Sequence, residues 1–495
     1  MLLTIVFGAL LVATAIYVSL EAKILLGYWF MRRELARPQH DTAPQRHEGL
    51  APSVTVQLPI YNEGPVAVEL IRAVSAFDYP REQIDIQVLD DSTDATSALV
   101  AAEVSRLQQD GYAISHIRRG GRSGWKAGAL EYGCALSKSE FVAVFDADFV
   151  PTPDYLRRIL LEGNVFDNPK VAYLQGRWTY NNEQQNLLTR AQAILLDRHF
   201  IVQKPYLMSI GGTTVLNGSA VVLRRAAIDA VGGWKGDTLC EDLDLSYRCA
   251  LNGWVGVYEK TVSAPSEIPA DILAFRLQQR RWAKGSAQCL RKLTGKVLSS
   301  SELKHRWDDM YFIGGYAVHL IFFGYAVLWP LVVLHDLPWP MFWAAQMCLA
   351  LANVVALSGF VMTSLEKYRK FDTKSLRDVL ICMVLGTALT VNNSIAFVVG
   401  LFGWIGVFER TPKQGSGQKR RPQRDRLLHW GILIEIAFTI YQFWSVGNII
   451  AQRSVWMAVP GFVFGGCMLL MICYQLLELF PKTLHSFVAE AGDDR

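Results

Sequence analysis

"EFVAVFDADF", residues Glu140–Phe149, is a short apolar run that ends in two aspartates at alternate positions. It reads as a buried strand running out into a polar loop. Three runs of the same kind come before it: "VTVQLPIYN" from Val54, "IDIQVLDDS" from Ile84 and "YAISHIRR" from Tyr112. Helical patterns lie between them, one from about Pro65 to Ala76 and one continuing through Leu107. Short strands alternating with longer helices predict an α/β domain built on a parallel sheet. Loops at the carboxyl ends of such strands form the usual site. Asp90, Asp91, Asp146 and Asp148 all fall at these ends.

The chain on either side of this domain is of a different kind. Met1–Leu20, Met341–Leu365, Val379–Phe408 and Val455–Leu477 carry no charged residue. Tyr311–Leu334 holds only a histidine, and Ile432–Gln452 only Glu435. About 20 apolar residues suffice to cross a bilayer as a helix. A soluble core explains one such run but not six, so the pattern predicts an integral membrane protein. Met1–Leu20 has no basic start and no evident cleavage site, and apolar character resumes at Ile24. It therefore reads as a retained anchor rather than a signal peptide.

Basic residues lie beside the apolar runs, at Arg32-Arg33, Lys367–Lys374 and Lys413–Arg426. Positive flanks stay in the cytoplasm. Counting on that basis gives an anchor over 1–32, a cytoplasmic domain over 50–300 and a transmembrane hairpin over 311–365. Interfacial or re-entrant helices over 376–408, a basic loop over 409–427 and a second hairpin over 428–480 complete the chain. Val379–Phe408 has basic flanks on both sides and contains Asn392, Asn393 and Ser394, which favours a bent pair and five crossings. Six crossings with a basic outer loop is the alternative. The formal net charge of +4 is too modest to suggest a nucleic-acid partner. Eight cysteines without paired spacing indicate neither a disulfide framework nor a zinc cluster.

Paired acids are common where strands end, so one Asp-X-Asp is weak evidence of a site. A second pair, Asp90-Asp91, at another strand end strengthens it. Asp146 and Asp148 repel each other unless positive charge lies between them. Mg²⁺ or Mn²⁺ bridging diphosphate oxygens would supply it. Further along, "TLCEDLDLSYR" places Glu241, Asp242 and Asp244 at a helix start. One acid there caps free N–H groups; three exceed that need, and one facing the site could take a proton from a hydroxyl. In "FRLQQRRWAKG", Gln278, Arg281 and Trp282 share a helix face. The arginine fork suits phosphate and the indole a sugar ring. A membrane-surface helix would also explain them, but it leaves the acids unexplained.

As an ordered set these motifs resemble the processive, inverting glycosyltransferases of family 2: cellulose, chitin, hyaluronan and plant mannan synthases. The family pattern of Asp-Asp, Asp-X-Asp, Thr/Ser-Glu-Asp and Gln-X-X-Arg-Trp stands here as Asp90-Asp91, Asp146–Asp148, Cys240–Asp242 and Gln278–Trp282. "GWKAGAL" resembles the segment with a donor-contacting lysine, Lys126. "LNGSA", with Asn217 and Gly218, looks like the loop beneath the acceptor end. "FERTPKQG" resembles a gating loop with Thr411 and Lys413 in the nucleotide-contacting positions. The closest look is to the plant mannan synthase-like branch and its bacterial relatives. Cys240 stands where the family has a hydroxyl residue, so no role for a hydroxyl is expected there.

The resemblance implies a GT-A-like cytoplasmic catalytic domain, α/β in class, inserted among transmembrane helices. It implies that Asp90, Asp91, Lys126, Asp146, Asp148, Arg281, Thr411 and Lys413 bind the donor. Asp148 and Asp146 would hold Mg²⁺ or Mn²⁺, and Asp242 would be the general base. Asn217, Gly218, Gln278 and Trp282 would bind the acceptor. The expected reaction moves a hexose, UDP-glucose first and GDP-mannose next, onto a growing β-linked polysaccharide that leaves through the enzyme's own channel. Control by an appended nucleotide-sensing domain is not expected, because the sequence stops soon after its final apolar run. Single transfer to a lipid acceptor is the rival; a transporter is disfavoured by the ordered acids. The expected setting is a bacterial inner membrane. Nucleotide sugar, polysaccharide and bilayer are the partners, with envelope accessory proteins or self-association left open.

Overall fold

The computed structural model describes residues 2–35, 51–335, 338–403 and 426–490. A long helix α1 (Leu2–Leu35) precedes the sheet domain. That domain runs β1 (Val54–Ile60), α2 (Pro65–Ser75), β2 (Ile84–Asp90), α3 (Thr96–Gln109), β3 (Ile114–Ile117), α4 (Trp125–Leu136), β4 (Phe141–Val144), α5 (Tyr155–Leu160) and β5 (Val171–Tyr180). It continues with α6 (Leu187–Asp197), a π-turn over Arg198–Gln203, α7 (Lys204–Ser209), β6 (Val221–Arg224), α8 (Arg225–Ala230), α9 (Glu241–Leu251) and β7 (Val255–Ser266). Then come α10 (Ile272–Ser299), α11 (Arg306–Ile313), α12 (Ala317–Leu334), α13 (Trp339–Tyr368), α14 (Thr373–Ala388), α15 (Thr390–Leu401), α16 (Arg426–Gln452) and α17 (Val455–Glu490).

One seven-stranded sheet runs in the order β3-β2-β1-β4-β6-β5-β7. β1 pairs in parallel with β2 and β4, and β2 with β3. β1 is buried along almost its whole length, as a parallel strand covered on both faces must be. α2 shows how the cover is built. Pro65 starts it without needing an N–H partner, and Ala67, Leu70, Ile71 and Val74 bury one stripe. The expectation of a parallel sheet holds only for this half. β6 runs antiparallel to both β4 and β5, and β7 pairs in parallel with β5, so the sheet is mixed. Strands and helices still alternate after β4, but the all-parallel pairing ends there: β5 to β7 find their places through contacts remote in sequence, which local pattern does not encode.

Strand order changes direction at β1, with β2 on one side and β4 on the other. Such a switch point opens a crevice at the carboxyl ends of the strands. Asp91 follows β2 and Asp146 follows β4, so they flank it.

Among the described residues five helices are long and apolar enough to cross a membrane: Leu2–Glu34, Ala317–Leu334, Pro340–Tyr368, Gly431–Gln452 and Val455–Glu478. α14 and α15 form a further apolar pair bent by 47°. α10 joins the two halves. Its Arg276 donates to Glu435 of α16, at 2.7 and 2.8 Å, and to Gln475 of α17 at 2.7 Å.

Candidate active site

A cavity of about 580 Å³ lies between the strand ends, α9, α10 and the first turns of α12. Asp91, Lys126, Asp146, Asp148, Asn217, Gly218, Asp242, Gln278, Arg281 and Trp282 all line it. Residues gathered from distant parts of the sequence are thus brought together. Thr411 and Lys413 lie outside the described residues.

Asp90 is the exception among the acids. It sits behind the cavity wall, accepting from Ser92 N at 2.8 Å and paired with His116 Nε2 at 2.8 Å. Burial alone would raise its pKa, but these hydrogen bonds outweigh burial and hold it at about 2. Its place is that of a support for the loop, not a wall of the crevice. Asp91 does line the cavity, with both oxygens held by Arg119 at 2.8 and 2.6 Å. Arg119 was missed by motif reading. The signal was there: two arginines end "YAISHIRR", the strand beside the one that carries the acids. Arg122 stacks 3.3 Å from the centre of the Tyr61 ring, and both face the cavity.

Lys126, from the first turn of α4, is the electrostatic centre. Its Nζ lies 2.6 Å from Asp146 Oδ1, 3.7 Å from Glu241 Oε1 and 2.7 Å from the Gly218 carbonyl. Burial disfavours its charge, but Asp146 and Glu241 more than compensate and its pKa is raised. The positive charge expected between the paired acids is therefore supplied in part by a lysine. Among the described residues no three His, Cys, Asp or Glu side chains converge as a metal cage. Asp146 and Asp148 still fit a hard divalent cation, because Mg²⁺-type ions use one or two carboxylates and complete their shell with substrate phosphate oxygens and water.

Asp242 and Glu241 start α9. Cys240 is the N-cap residue, and its side chain makes no capping hydrogen bond. A Cβ on Gly285 would come within 2.3 Å of Cys240 Sγ, so this glycine lets α10 approach the start of α9. Burial pushes the Glu241 carboxyl up to about 7, with Lys126 opposing and Asp242 adding to the rise. Asp242 is also raised by burial, against the pull of Lys126, the Leu243 N–H and Arg281. Asp244 faces away, held by Arg248 at 2.8 Å and Lys292 at 2.7 Å. Gly218 touches this centre. Its φ is +72°, and a Cβ there would meet Asp242 Oδ2 and Lys126 Nζ, both at 3.2 Å. Only glycine combines that left-handed backbone with so close an approach.

The loop carrying Asn217 and Gly218 is set from below by Gln175, which no motif announced. The Asn217 N–H donates to Gln175 Oε1 at 2.8 Å, while Gln175 Nε2 donates to the Ser219 and Ala220 carbonyls at 3.0 Å. The cavity then continues past Trp282 to Tyr316, just before α12, to His319 of α12 and to Gly386 of α14.

A family model described as "Glycosyl transferase family group 2" matches residues 141–362. The chain is 35% identical over 384 residues to "Probable glucomannan 4-beta-mannosyltransferase 11" of Oryza sativa subsp. japonica, 75% of this chain and 65% of that protein. The chain thus spans just under two thirds of that relative's length. It is 31% identical over 432 residues to "Glucomannan 4-beta-mannosyltransferase 2" of Arabidopsis thaliana, 84% of this chain and 78% of that one. Among solved structures, the mannosyltransferase PcManGT of Pyrobaculum calidifontis, in complex with GDP-Man and Mn2+, aligns with a TM-score of 0.50. It covers 76% of this chain and 99% of its own at 20% identity, a likeness of fold. With a relative matched over most of both lengths and a GT-A-like domain set between apolar helices, the chain belongs to the family 2 glycosyltransferases, in the cellulose synthase-like branch that contains the glucomannan 4-beta-mannosyltransferases.

Proposed function

We propose that the chain transfers mannose from GDP-mannose, with inversion, to the end of a growing β-linked polysaccharide. The observation that carries this is one continuous cavity, running from Asp91 and Asp148 at the strand ends, past Asp242 and Trp282, to Tyr316 at the start of a membrane helix and His319 on it. A single-transfer enzyme has no need of the far end. The choice of sugar rests on the mannosyltransferase names of the relatives; nothing in them supports the expectation that UDP-glucose comes first.

In this reading the acceptor hydroxyl attacks the anomeric carbon as the bond to the diphosphate breaks, and Asp242 takes the hydroxyl proton. A base near neutrality suits that task, and burial has raised Asp242 in that direction. Lys126 and Arg281 would steady the departing negative charge. A divalent cation held by Asp146 and Asp148, when bound, would supply further positive charge to the diphosphate. Trp282 would seat the terminal sugar. The sheet domain would face the cytoplasm, on the side of Arg32 and Arg33.

The test is made with purified protein in vesicles, given radiolabelled GDP-mannose or UDP-glucose with Mg²⁺ or Mn²⁺. Products are sized and digested with β-mannanase or cellulase. A long, mannanase-sensitive product from GDP-mannose is expected. Incorporation from UDP-glucose alone would overturn the donor assignment, and one or two sugars on lipid would overturn the polymer.

A further inference from the structure

The π-turn Arg198–Gln203 interrupts an otherwise continuous helical rod between α6 and α7. π-turns are uncommon and recur at functional sites. This one turns His199, Phe200 and Gln203 toward the cavity. Three ion pairs fasten the rod to membrane helices. Arg190 meets Asp378 of α14 at 2.6 Å, Asp197 meets Lys367 of α13 at 2.6 Å, and Arg198 meets Glu21 of α1.

His199 bridges two side chains. Its Nδ1 lies 3.2 Å from Gln203 Oε1 and its Nε2 3.4 Å from Asn217 Nδ2. Burial, with the Lys204 ammonium adding to it, holds the ring's pKa down to about 3. A neutral imidazole has one donor and one acceptor nitrogen. Gln203 Oε1 can only accept, so Nδ1 carries the proton and Nε2 receives the Asn217 N–H. The amide is thereby turned one way. Asn217 Oδ1 is left buried with no hydrogen-bond partner among the described residues. Leaving such an oxygen unsatisfied is unfavourable, and a ligand hydroxyl would remove that cost. Asn217 adjoins Gly218, the residue in contact range of Asp242 Oδ2.

We propose that His199 determines acceptor specificity: it orients Asn217 so that Oδ1 receives a hydroxyl of the terminal acceptor sugar, beside the hydroxyl that Asp242 deprotonates. This rests on the glycosyl-transfer reading. His199 acts through Asn217 and is a positioning residue.

The experiment compares wild type, His199→Leu, His199→Gln, Asn217→Ala and the double variant His199→Leu/Asn217→Ala in detergent. Acceptor KM for β-1,4-linked mannotetraose, donor KM, and hydrolysis of GDP-mannose to free mannose are measured, with thermal stability as the folding control. His199→Leu should raise acceptor KM about tenfold, equivalent to one lost hydrogen bond of about 1.4 kcal/mol. Donor KM and donor hydrolysis should stay within about twofold. Glutamine, which can still accept from Asn217, should restore most of the affinity, and the double variant should be no worse than Asn217→Ala. An unchanged acceptor KM, a parallel loss of donor binding, or additive effects would overturn the proposal. Should the leucine variant fail to fold, His199→Gln and Asn217→Ala test the proposal through the same measurements. An independent reading comes from ¹⁵N-labelled histidine by NMR. A neutral Nδ1–H tautomer is expected at pH 6; an Nε2–H tautomer overturns the orientation even if wild type transfers no sugar, a result that would instead refute the proposed function.

Discussion

Arg276 and Arg281 lie on one helix, five residues and about 140° apart around its axis, and they meet two different kinds of buried charge. Arg276 and Glu435, 1% and 2% exposed, pair with each other, and Gln475 accepts from the second terminal nitrogen of the guanidinium. Arg281 faces a cavity where Asp146, Glu241 and Asp242 gather around Lys126. The first group is closed: each charge has its partner, and its effect is to hold α10 against α16 and α17. The second carries more negative than positive charge and is open to a ligand. Burial by itself therefore does not mark a reactive group; burial with incomplete compensation does.

The comparison breaks most sharply at Asp242. Asp242→Asn should lower kcat/KM by about 10²–10⁴-fold, the usual contribution of a general base, while donor affinity and thermal stability stay near wild type. Transfer at a normal rate would remove Asp242 from the open group. Glu435→Ala should do the reverse. It strands Arg276 in an apolar setting, at a cost of about 3–5 kcal/mol in stability, read as a lowered melting temperature and loss of folded protein in detergent. The apolar pair Arg276→Met/Glu435→Leu should recover most of that loss, because matched hydrophobic replacements are commonly neutral. Failure to recover would mean that the ion pair has a role beyond fastening.

A smaller effect sharpens the contrast through pH. Burial raises Asp242 above the ordinary carboxylate range, and its charge in turn raises Glu241, so kcat/KM should fall as pH drops and the base takes up its proton. Removing one negative charge with Glu241→Gln favours the ionised form of Asp242. The acidic limb of the pH profile should then move to lower pH. A shift toward higher pH, or none, would uncouple the pair.

Much of this could be read along the chain. β1 to β4 are short apolar runs that end in Asn, Asp or Arg, so their number and the placement of Asp91, Asp146 and Asp148 follow from pattern alone. Gln278, Arg281 and Trp282 follow from helical spacing. What pattern does not hold is convergence. Nothing in "GWKAGAL" says that Lys126 reaches both Asp146 and Glu241, nor in "VAYLQGRWTY" that Gln175 carries the Asn217 loop. His199 is hidden for another reason. It stands in "LDRHFIVQKPYL", where Pro205 marks a break in the helix but not its form, and it is the π-turn before that proline that rotates His199 into the cavity. Asp90 is the converse case, a motif residue whose hydrogen bonds turn it inward.

Three ion pairs pin α6 and the π-turn, which line the cavity, to α1, α13 and α14, and would make the proposed acceptor site part of the membrane's mechanics. A helix longer than the local hydrocarbon thickness tilts, and a shorter one draws the lipid in. Any tilt of α13 or α1 would be carried by Lys367 or Glu21 into the turn that holds His199, as a strut carries load. The acyl-chain length of the surrounding lipid would then act on acceptor recognition while leaving the nucleotide end, seated on the sheet, untouched.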